Sequence, residues 1–204
     1  KFYNIIANPM IWFIQHYLWN LSVAPEIRGN ELAAWEEGYQ VINQQFADAV
    51  CDELDQHPAD EQPVVMLHDY HLYTCPALVR QRHPEAFLHQ FIHIPWPQSD
   101  SWRVLPRHIR RAVIKAPDIY LFDASFAALD YDTDARLREA LSTITARSSV
   151  IIVAQRISTI RNADRIVVLD QGSVVGTGTH SALMSSCDTY REIVLSQLSE
   201  EEAA

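Results

Sequence analysis

Three residues that can do chemistry stand where apolar runs end. Asp69 follows "PVVMLH", His93 follows "LHQFI", and Asp123 closes "IYLFD". A carboxylate at such a position can bind Mg²⁺ or accept hydrogen bonds from hydroxyl groups, and an imidazole can exchange a proton near neutral pH. The carboxyl ends of parallel strands meet at one edge of a sheet, where ligands bind. The sequence therefore predicts a polar site at that edge.

The elements that must position these side chains alternate between helices and strands. Apolar residues recur at helical spacing in some segments, and short continuous apolar runs mark the strands. This order predicts an α/β fold with a mostly parallel sheet and helices on both faces. We expect helices over residues 9–19, 31–54, 75–82, 106–115 and 132–145, strands over 63–67, 88–94, 119–122 and 149–154, and a hairpin turned at Gln171 and Gly172. We also expect the strands near residues 64, 90, 120, 150 and 166 to share one sheet.

The composition limits the classes of function. The chain has 204 residues, 48% of them hydrophobic, which fits one domain or two small ones. A net charge of −10 argues against nucleic acid as a partner. Three separated cysteines form no CxxC pair, so we expect no metal site of cysteines and a cytoplasmic location. No apolar run reaches the roughly 20 residues of a membrane helix, so we expect no membrane span.

The first half of the chain resembles a known family. The blocks "FYNIIANPMIWFIQHYLW", "VVMLHDYHLY" and "FIHIPWPQSDSWRVLP" occur in the order found in the trehalose-6-phosphate synthase family, and the resemblance covers residues 1–110. That family is a group of glycosyltransferases that transfer glucose from a nucleotide sugar, commonly UDP-glucose, to glucose 6-phosphate. The resemblance implies a cleft between two Rossmann-like domains, with the nucleotide sugar and glucose 6-phosphate as partners.

The same resemblance assigns roles to four residues. Tyr3 and Trp12 would line the sugar-phosphate site, Asp69 would hydrogen-bond the acceptor sugar, and His93 would act as the catalytic residue that contacts the donor sugar near the reacting centre. From the residue types alone, Asp69 can instead accept backbone N–H groups at the start of the following helix. His93 alone reads as a core histidine with satisfied hydrogen bonds, and the "HDYH" pair lacks the third ligand of a zinc site.

The second half, residues 111–204, resembles a different family. The segments "RAVIKAPDIYLFDASFAALDYDTDARLREAL", "SVIIVAQRISTI" and "ADRIVVLDQGSVVGTGTHSALM" are similar to the C-terminal part of the ATPase domain of ATP-binding-cassette (ABC) exporters. The resemblance makes Asp123 the Mg²⁺ ligand of the Walker B strand and places Asp130 in the loop that contacts a partner subunit. Gln155 stands where the switch histidine is usual, and Ala124 occupies the place of the catalytic carboxylate.

Several residues needed for turnover are missing from both halves. A methyl group at Ala124 cannot orient or deprotonate water, so we expect no ATPase activity. The GxxxxGK[ST] loop and the "LSGGQ" signature are absent, so no cofactor is certain and Mg-ATP would bind only if further segments completed that half. The two lysines, Lys1 and Lys115, lie in no motif of the synthase's donor-binding domain. We therefore expect the synthase-like half to be inactive alone.

Three functional classes follow from these observations. The first is a portion of a trehalose-6-phosphate synthase type glucosyltransferase, which we rank first because its recognisable polar groups are intact. The second is a degenerate nucleotide-binding domain of an ABC transporter. The third is a folded hybrid without activity. The basic residues that flank the apolar stripe of the helix at residues 106–115 read as a solvated face rather than a phosphate site.

Overall fold

A four-stranded parallel sheet forms the centre of the first part of the chain. In this computed structural model, which describes residues 2–20, 22–58, 60–96, 101–113, 117–123, 145 and 147–198, the strands are β1 (Val64–His68), β2 (Phe87–Ile92), β3 (Ile119–Asp123) and β4 (Ser149–Val153). They lie in the order β1-β2-β3-β4, and each neighbouring pair is parallel. The predicted α/β class is confirmed.

Helices connect β1 with β2 and β2 with β3, as parallel pairing requires. The helices with α geometry in this part are α1 (Phe13–Gln15), α2 (Asn30–Ala34), α3 (Val41–Gln56), α4 (Cys75–Arg82) and α5 (Arg107–Val113). Two π-helical segments, Phe2–Trp12 and Trp35–Gln40, lead into α1 and α3, and Ser101–Val104 forms a 3₁₀ turn. The expected helix at 31–54 therefore exists as one continuous run of helical segments, and the expected helix at 75–82 has the predicted bounds.

The first helical segment differs from its prediction. A helix was expected over residues 9–19 from the helical spacing of apolar residues, but the helical turns begin at Phe2 and run through Pro9. Burial explains the shift, since Ile6, Met10 and Ile11 are fully buried in the core and lie on both sides of the proline. The helical turns end before Tyr17, whose φ of 57° is left-handed.

One hydrophobic core holds the sheet and these helices together. It contains Ile6 and Ile11 of the first helical segment, Ile92 of β2, Ile109 of α5 and Phe122 of β3, among others. The core therefore includes side chains from both sides of residue 110, where the resemblance changes from one family to the other. A smaller cluster packs α3 and α4 against β1 and β2.

The strand β4 is apolar in sequence but largely exposed. All of its residues except Ile152 are exposed, and Ile151 and Val153 have relative accessibilities of 46% and 52%. The ladder explains this, because β4 is the last strand in the order and β3 is its one neighbour among the described residues. An apolar sequence predicts a strand here but does not show what covers it.

A second compact unit comprises residues 154–204. Its strands β5 (Ile166–Asp170) and β6 (Ser173–Gly178) form an antiparallel hairpin, with helices α6 (Ile157–Ile160), α7 (His180–Ser186) and α8 (Asp188–Leu195). Gln171 and Gly172 both have positive φ, 47° and 79°, as a two-residue hairpin turn of the predicted kind requires. Its own core includes Val168, Leu183, Tyr190 and Val194, among others.

The position of β5 corrects one expectation. We predicted that the strand near residue 166 would continue the parallel sheet, but β5 pairs with β6 in a separate two-stranded sheet. The two-residue turn explains the antiparallel pairing with β6, but the apolar sequence of β5 gave no signal that its other edge would not join the parallel sheet. The predicted helix at 132–145 lies outside the described residues except for Thr145. Among the helices that the structure describes, none is both long and apolar enough to cross a membrane.

Candidate functional site

Asp69 is positioned by an unusual backbone conformation at the end of β1. Its φ is 52°, in the left-handed region that aspartate tolerates better than most residues. Its N–H donates to the carbonyl of Phe91 at 2.8 Å, so the backbone of Asp69 stays tied to β2. The residue is buried, and its turn directs the carboxylate toward the end of β2.

The Asp69 carboxylate and the His93 imidazole form a close pair. Oδ2 of Asp69 lies 2.9 Å from Nε2 of His93, and Oδ1 accepts the backbone N–H of His93 at 3.1 Å. A carboxylate can only accept, so Nε2 carries the hydrogen and Nδ1 of the neutral ring is an acceptor. The His93 side chain is 49% exposed above a carboxylate that is 9% exposed. The pair can therefore accept hydrogen bonds from a hydroxyl group at the surface.

This geometry differs from both alternatives considered from the sequence, which were Asp69 bonded to the start of the following helix and His93 in the core. The backbone N–H that Asp69 accepts belongs to His93 on the neighbouring strand, whereas the alternative placed that donor at the start of the following helix. His93 is half exposed and is held by a carboxylate, so it does not lie in the core. Because the two residues are 24 positions apart, their contact depends on the parallel pairing of β1 with β2.

Tyr3 and His71 form a stack of rings beside Asp69. Their ring centroids are 6.0 Å apart with an angle of 7° between the planes, and the Tyr70 ring lies 3.9 Å from His71 on centroids. Burial lowers the pKa of His71, while the nearby Asp69 carboxylate raises it by less. His71 is thus neutral at neutral pH, and Tyr3, 54% exposed, offers a ring surface against which a sugar can pack.

Trp12 lies elsewhere on the first helical segment. Its ring stacks on His16, with centroids 3.9 Å apart, and its carbonyl lies 2.8 Å from Nδ1 of His16. No hydrogen bond or ring contact joins Trp12 to Tyr3, Asp69 or His93 in the described structure. Of the four residues assigned by resemblance, the structure therefore pairs Asp69 with His93, places Tyr3 next to that pair through His71, and leaves Trp12 separate.

The residues assigned to a nucleotide site lie in different places. Asp123 is the last residue of β3, is half buried, and stands opposite Val153 in the ladder. Gln155 belongs to the second compact unit, where its carbonyl accepts the side-chain amide of Gln197 at 2.8 Å. Asp130 and Ala124 lie outside the described residues. Within the part of the chain that is described, no group of three or more His, Cys, Asp or Glu side chains could hold a metal ion.

Two further residues of the site escaped prediction as binding residues. His71 and Tyr70 lie inside the "HDYHL" block; His71 stacks on Tyr3, and the Tyr70 ring contacts His71. Tyr70 also donates its hydroxyl to Oδ1 of Asn8 at 2.9 Å, which ties the loop to the first helical segment. The block's position after a strand predicts a site, but the stacking partner Tyr3 lies far earlier in the chain.

Comparison with known proteins identifies the family of the first part. The sequence model of glycosyltransferase family 20 matches residues 1–136. The chain belongs to glycosyltransferase family 20. One relative, the validamine 7-phosphate valienyltransferase of Streptomyces hygroscopicus subsp. jinggangensis, is 32% identical over 111 residues, which are 54% of this chain and 22% of that protein.

The second part of the chain is similar to ABC proteins. An ABC transporter ATP-binding protein of Mycobacterium tuberculosis (strain H37Rv) is 47% identical over 89 residues, which are 44% of this chain and 15% of that protein. A solved bacterial Atm1-family ABC exporter with ATP bound is 34% identical and covers 50% of this chain and 17% of the exporter, with a TM-score of 0.42. Both predicted resemblances are confirmed, and the chain spans less than a quarter of the length of these relatives.

Proposed function

We propose that this family 20 chain binds glucose 6-phosphate at the carboxyl edge of β1 and β2, as the acceptor side of a glucosyl transfer from a nucleotide sugar. The observation that carries the proposal is the Asp69–His93 pair, in which a buried carboxylate holds a half-exposed imidazole at 2.9 Å. Sugar hydroxyls need acceptors, and a pair of this kind is an acceptor whose direction is fixed before a sugar arrives.

Asp69 and His93 each keep lone pairs that can accept a hydrogen bond from a sugar hydroxyl. His93 occupies one lone pair on each oxygen of Asp69, which leaves the carboxylate able to accept a hydroxyl of the acceptor sugar. Nδ1 of His93 can accept a second hydroxyl, on the donor sugar near the reacting centre. The Tyr3 ring provides apolar surface beside them, and Trp12 lines the sugar-phosphate side.

We expect these 204 residues to bind the acceptor without catalysing transfer. The donor's diphosphate needs cationic groups, and no synthase-type basic motif follows residue 110 in this sequence. Binding, rather than turnover, is therefore the measurement that tests the proposal.

Calorimetric titration with glucose 6-phosphate, using a pair of aspartate variants, provides the test. Asp69→Asn keeps the size of the side chain but removes its charge, and it should weaken binding by about tenfold or more because hydrogen bonds to charged groups are lost. Asp123→Asn, at the end of β3 in the same sheet, is the matched control and should leave the affinity unchanged. Titration with glucose separates recognition of the sugar from recognition of the phosphate.

Either of two results contradicts the proposal. One is an unaltered chain that produces no heat with glucose 6-phosphate. The other is an Asp69→Asn variant that binds as tightly as the unaltered chain does.

The second candidate function is binding of Mg-ATP at a degenerate ABC-type site with an ABC partner subunit. The 47% identity to an ABC ATP-binding protein favours it. Because the sequence lacks the glycine-rich phosphate loop, we expect no binding tighter than millimolar. The same two variants discriminate the candidates, since a micromolar affinity for Mg-ATP that Asp123→Asn abolishes and Asp69→Asn preserves would favour the ABC function.

A further inference from the structure

Two fully buried polar side chains face the loop that follows Asp69. Tyr39, in the second π-helical segment, and Asn43, one turn later in α3, are both 0% exposed. Their spacing of four residues places them on one face of the helical run. Both side chains point at the backbone of Tyr70–Cys75, the segment that joins Asp69 to α4.

Each of these side chains holds two separate backbone groups of the loop. The Tyr39 hydroxyl donates to the carbonyl of Tyr70 at 2.5 Å and accepts the N–H of Tyr73 at 3.1 Å. The Asn43 amide donates to the carbonyl of His71 at 3.0 Å, and its oxygen accepts the N–H of Cys75 at 3.1 Å. Asn43 also donates to the carbonyl of Tyr39 at 3.0 Å, which joins the two side chains into one network.

The loop depends on this network because it has few regular hydrogen bonds of its own. Its internal backbone bonds are the N–H of Leu72 to the carbonyl of Asp69 at 3.3 Å and the N–H of Cys75 to the carbonyl of Leu72 at 3.1 Å. Buried backbone groups that lose a partner carry a full desolvation cost. Removing the Tyr39 hydroxyl therefore leaves the carbonyl of Tyr70 and the N–H of Tyr73 without this partner in a buried environment.

The network also accounts for the strained backbone of Asp69. A non-glycine residue keeps a left-handed φ only when its surroundings fix it there. Hydrogen bonds hold Asp69 on both sides: its N–H bonds β2, and the carbonyl of Tyr70, the next residue, bonds Tyr39. The direction of the Asp69 carboxylate toward His93 is set by this backbone.

We propose that Tyr39 and Asn43 are positioning residues of the sugar site, which fix the loop so that the Asp69 carboxylate and the His71 ring hold their places before a ligand binds. The part of this inference that concerns ligand affinity rests on the proposed function. The part that concerns the position of Asp69 stands on the geometry alone.

Tyr39→Phe tests the inference with the loss of a single hydroxyl. The readout is amide hydrogen exchange at His93, whose N–H donates to the unaltered Asp69 carboxylate. We expect that exchange to rise about tenfold and the affinity for glucose 6-phosphate to fall about tenfold, since both hydrogen bonds of the Tyr39 hydroxyl are lost. Tyr190→Phe is the matched control, a buried tyrosine that bonds His180 at 2.8 Å in the other unit, and should change neither quantity.

The outcomes separate this inference from the proposed function. A faster Tyr73 amide with an unchanged His93 amide overturns the positioning role, because the effect then stops at the mutated contact. An unaltered chain that does not bind glucose 6-phosphate refutes the proposed function, and the His93 amide still decides the positioning role.

A measurement on the unaltered chain covers the case in which Tyr39→Phe fails to fold. In low concentrations of urea, the amides of Tyr73, Cys75 and His93 should become exposed in one common opening, because one network holds all three. If the exchange rate of the His93 amide depends on urea concentration differently from the rates of the Tyr73 and Cys75 amides, the inference is wrong.

Discussion

Two strands of one parallel sheet deliver an aspartate to the same edge, and their surroundings differ. Asp69 follows β1 in a left-handed turn, is buried, and holds both the backbone and the ring of His93 from β2. Asp123 ends β3 in extended pairing, is half buried, and faces Val153 of β4 across the ladder. The imidazole that follows β2 thus contacts Asp69, while β4 places an aliphatic residue opposite Asp123.

This difference shows what a strand-terminal aspartate does and does not predict. The alternation of strands and helices is enough to bring an aspartate to the ligand-binding edge of the sheet. A site also needs a partner at the end of the next strand and a loop that turns the carboxylate toward it. Among the described contacts, the β1–β2 end combines these features in Asp69 and His93, and three experiments can break or sharpen the contrast.

The largest expected effect tests whether β3 unfolds together with the part of the chain that carries β1 and β2. Phe122 of β3 is fully buried and packs edge-on against Trp96, with centroids 6.0 Å apart. Phe122→Ala should lower the free energy of unfolding by about 3–5 kcal/mol through the cavity it leaves. Urea unfolding followed by tryptophan fluorescence reports this, because all tryptophans lie at or before residue 102.

The matched control for this prediction is Val153→Ala on exposed β4. Since Val153 is 52% exposed, its truncation should cost less than about 1 kcal/mol. A fluorescence transition that does not move in Phe122→Ala would mean that the first half unfolds independently of β3.

An intermediate effect is expected near the amino ends of the strands. Oδ2 of Asp118, just before β3, accepts Arg80 Nη2 at 2.7 Å and the N–H of Leu88 at 2.8 Å. Asp118→Ala should cost about 1.5–3 kcal/mol, as expected for hydrogen bonds to a charged group. Asp55→Ala, which removes an exposed ion pair with Arg82, should cost about 0–1 kcal/mol. Equal losses would show that Asp118 does not link the β3 segment to α4 and β2.

The smallest expected effect is a pH dependence that belongs to the β1–β2 side. Burial lowers the pKa of His71 and His89, so both bind protons less tightly in the folded chain than in the unfolded chain. The unfolded chain therefore takes up more protons as pH falls through about 6.5, and the free energy of unfolding decreases. Urea midpoints at pH 7.5 and 5.5 measure it.

Substitution of His89 tests whether the histidines cause this pH dependence of the free energy of unfolding. His89→Gln removes the buried imidazole of the two, so its urea midpoint should change less between the two pH values than that of the unaltered chain. A midpoint that stays constant or rises on acidification would contradict the prediction.

Much of the fold follows from the sequence because local signals agree with it. The helix at Cys75–Arg82 and the turn at Gln171 and Gly172 were predicted by periodicity and turn chemistry alone. The first helical segment was displaced because the burial of Ile6 and Met10 outweighed the usual preference for proline at a helix start. The role of β5 was wrong because an apolar strand has no sequence signal that names its partner.

The candidate site was predicted in position but not in its contacts. Asp69 and His93 were both expected at the carboxyl edge, yet their contact depends on the register of β1 with β2 and on a left-handed backbone at Asp69. Asn43 gave no signal, because a polar residue in a helical pattern is usually exposed. Its burial under the loop becomes visible only when the loop is folded over it.

The shared core around β3 bears on how proteins recombine. The change of resemblance that the sequence predicts at residue 110 falls inside α5, whose Ile109 and Val113 lie in the same core as Phe122, and the family 20 match continues to residue 136. β3 joins the sheet through backbone hydrogen bonds to β2 and through alternate apolar side chains. Any parallel strand can supply both kinds of contact. The predicted boundary between two resemblances therefore passes through the middle of a single hydrophobic core.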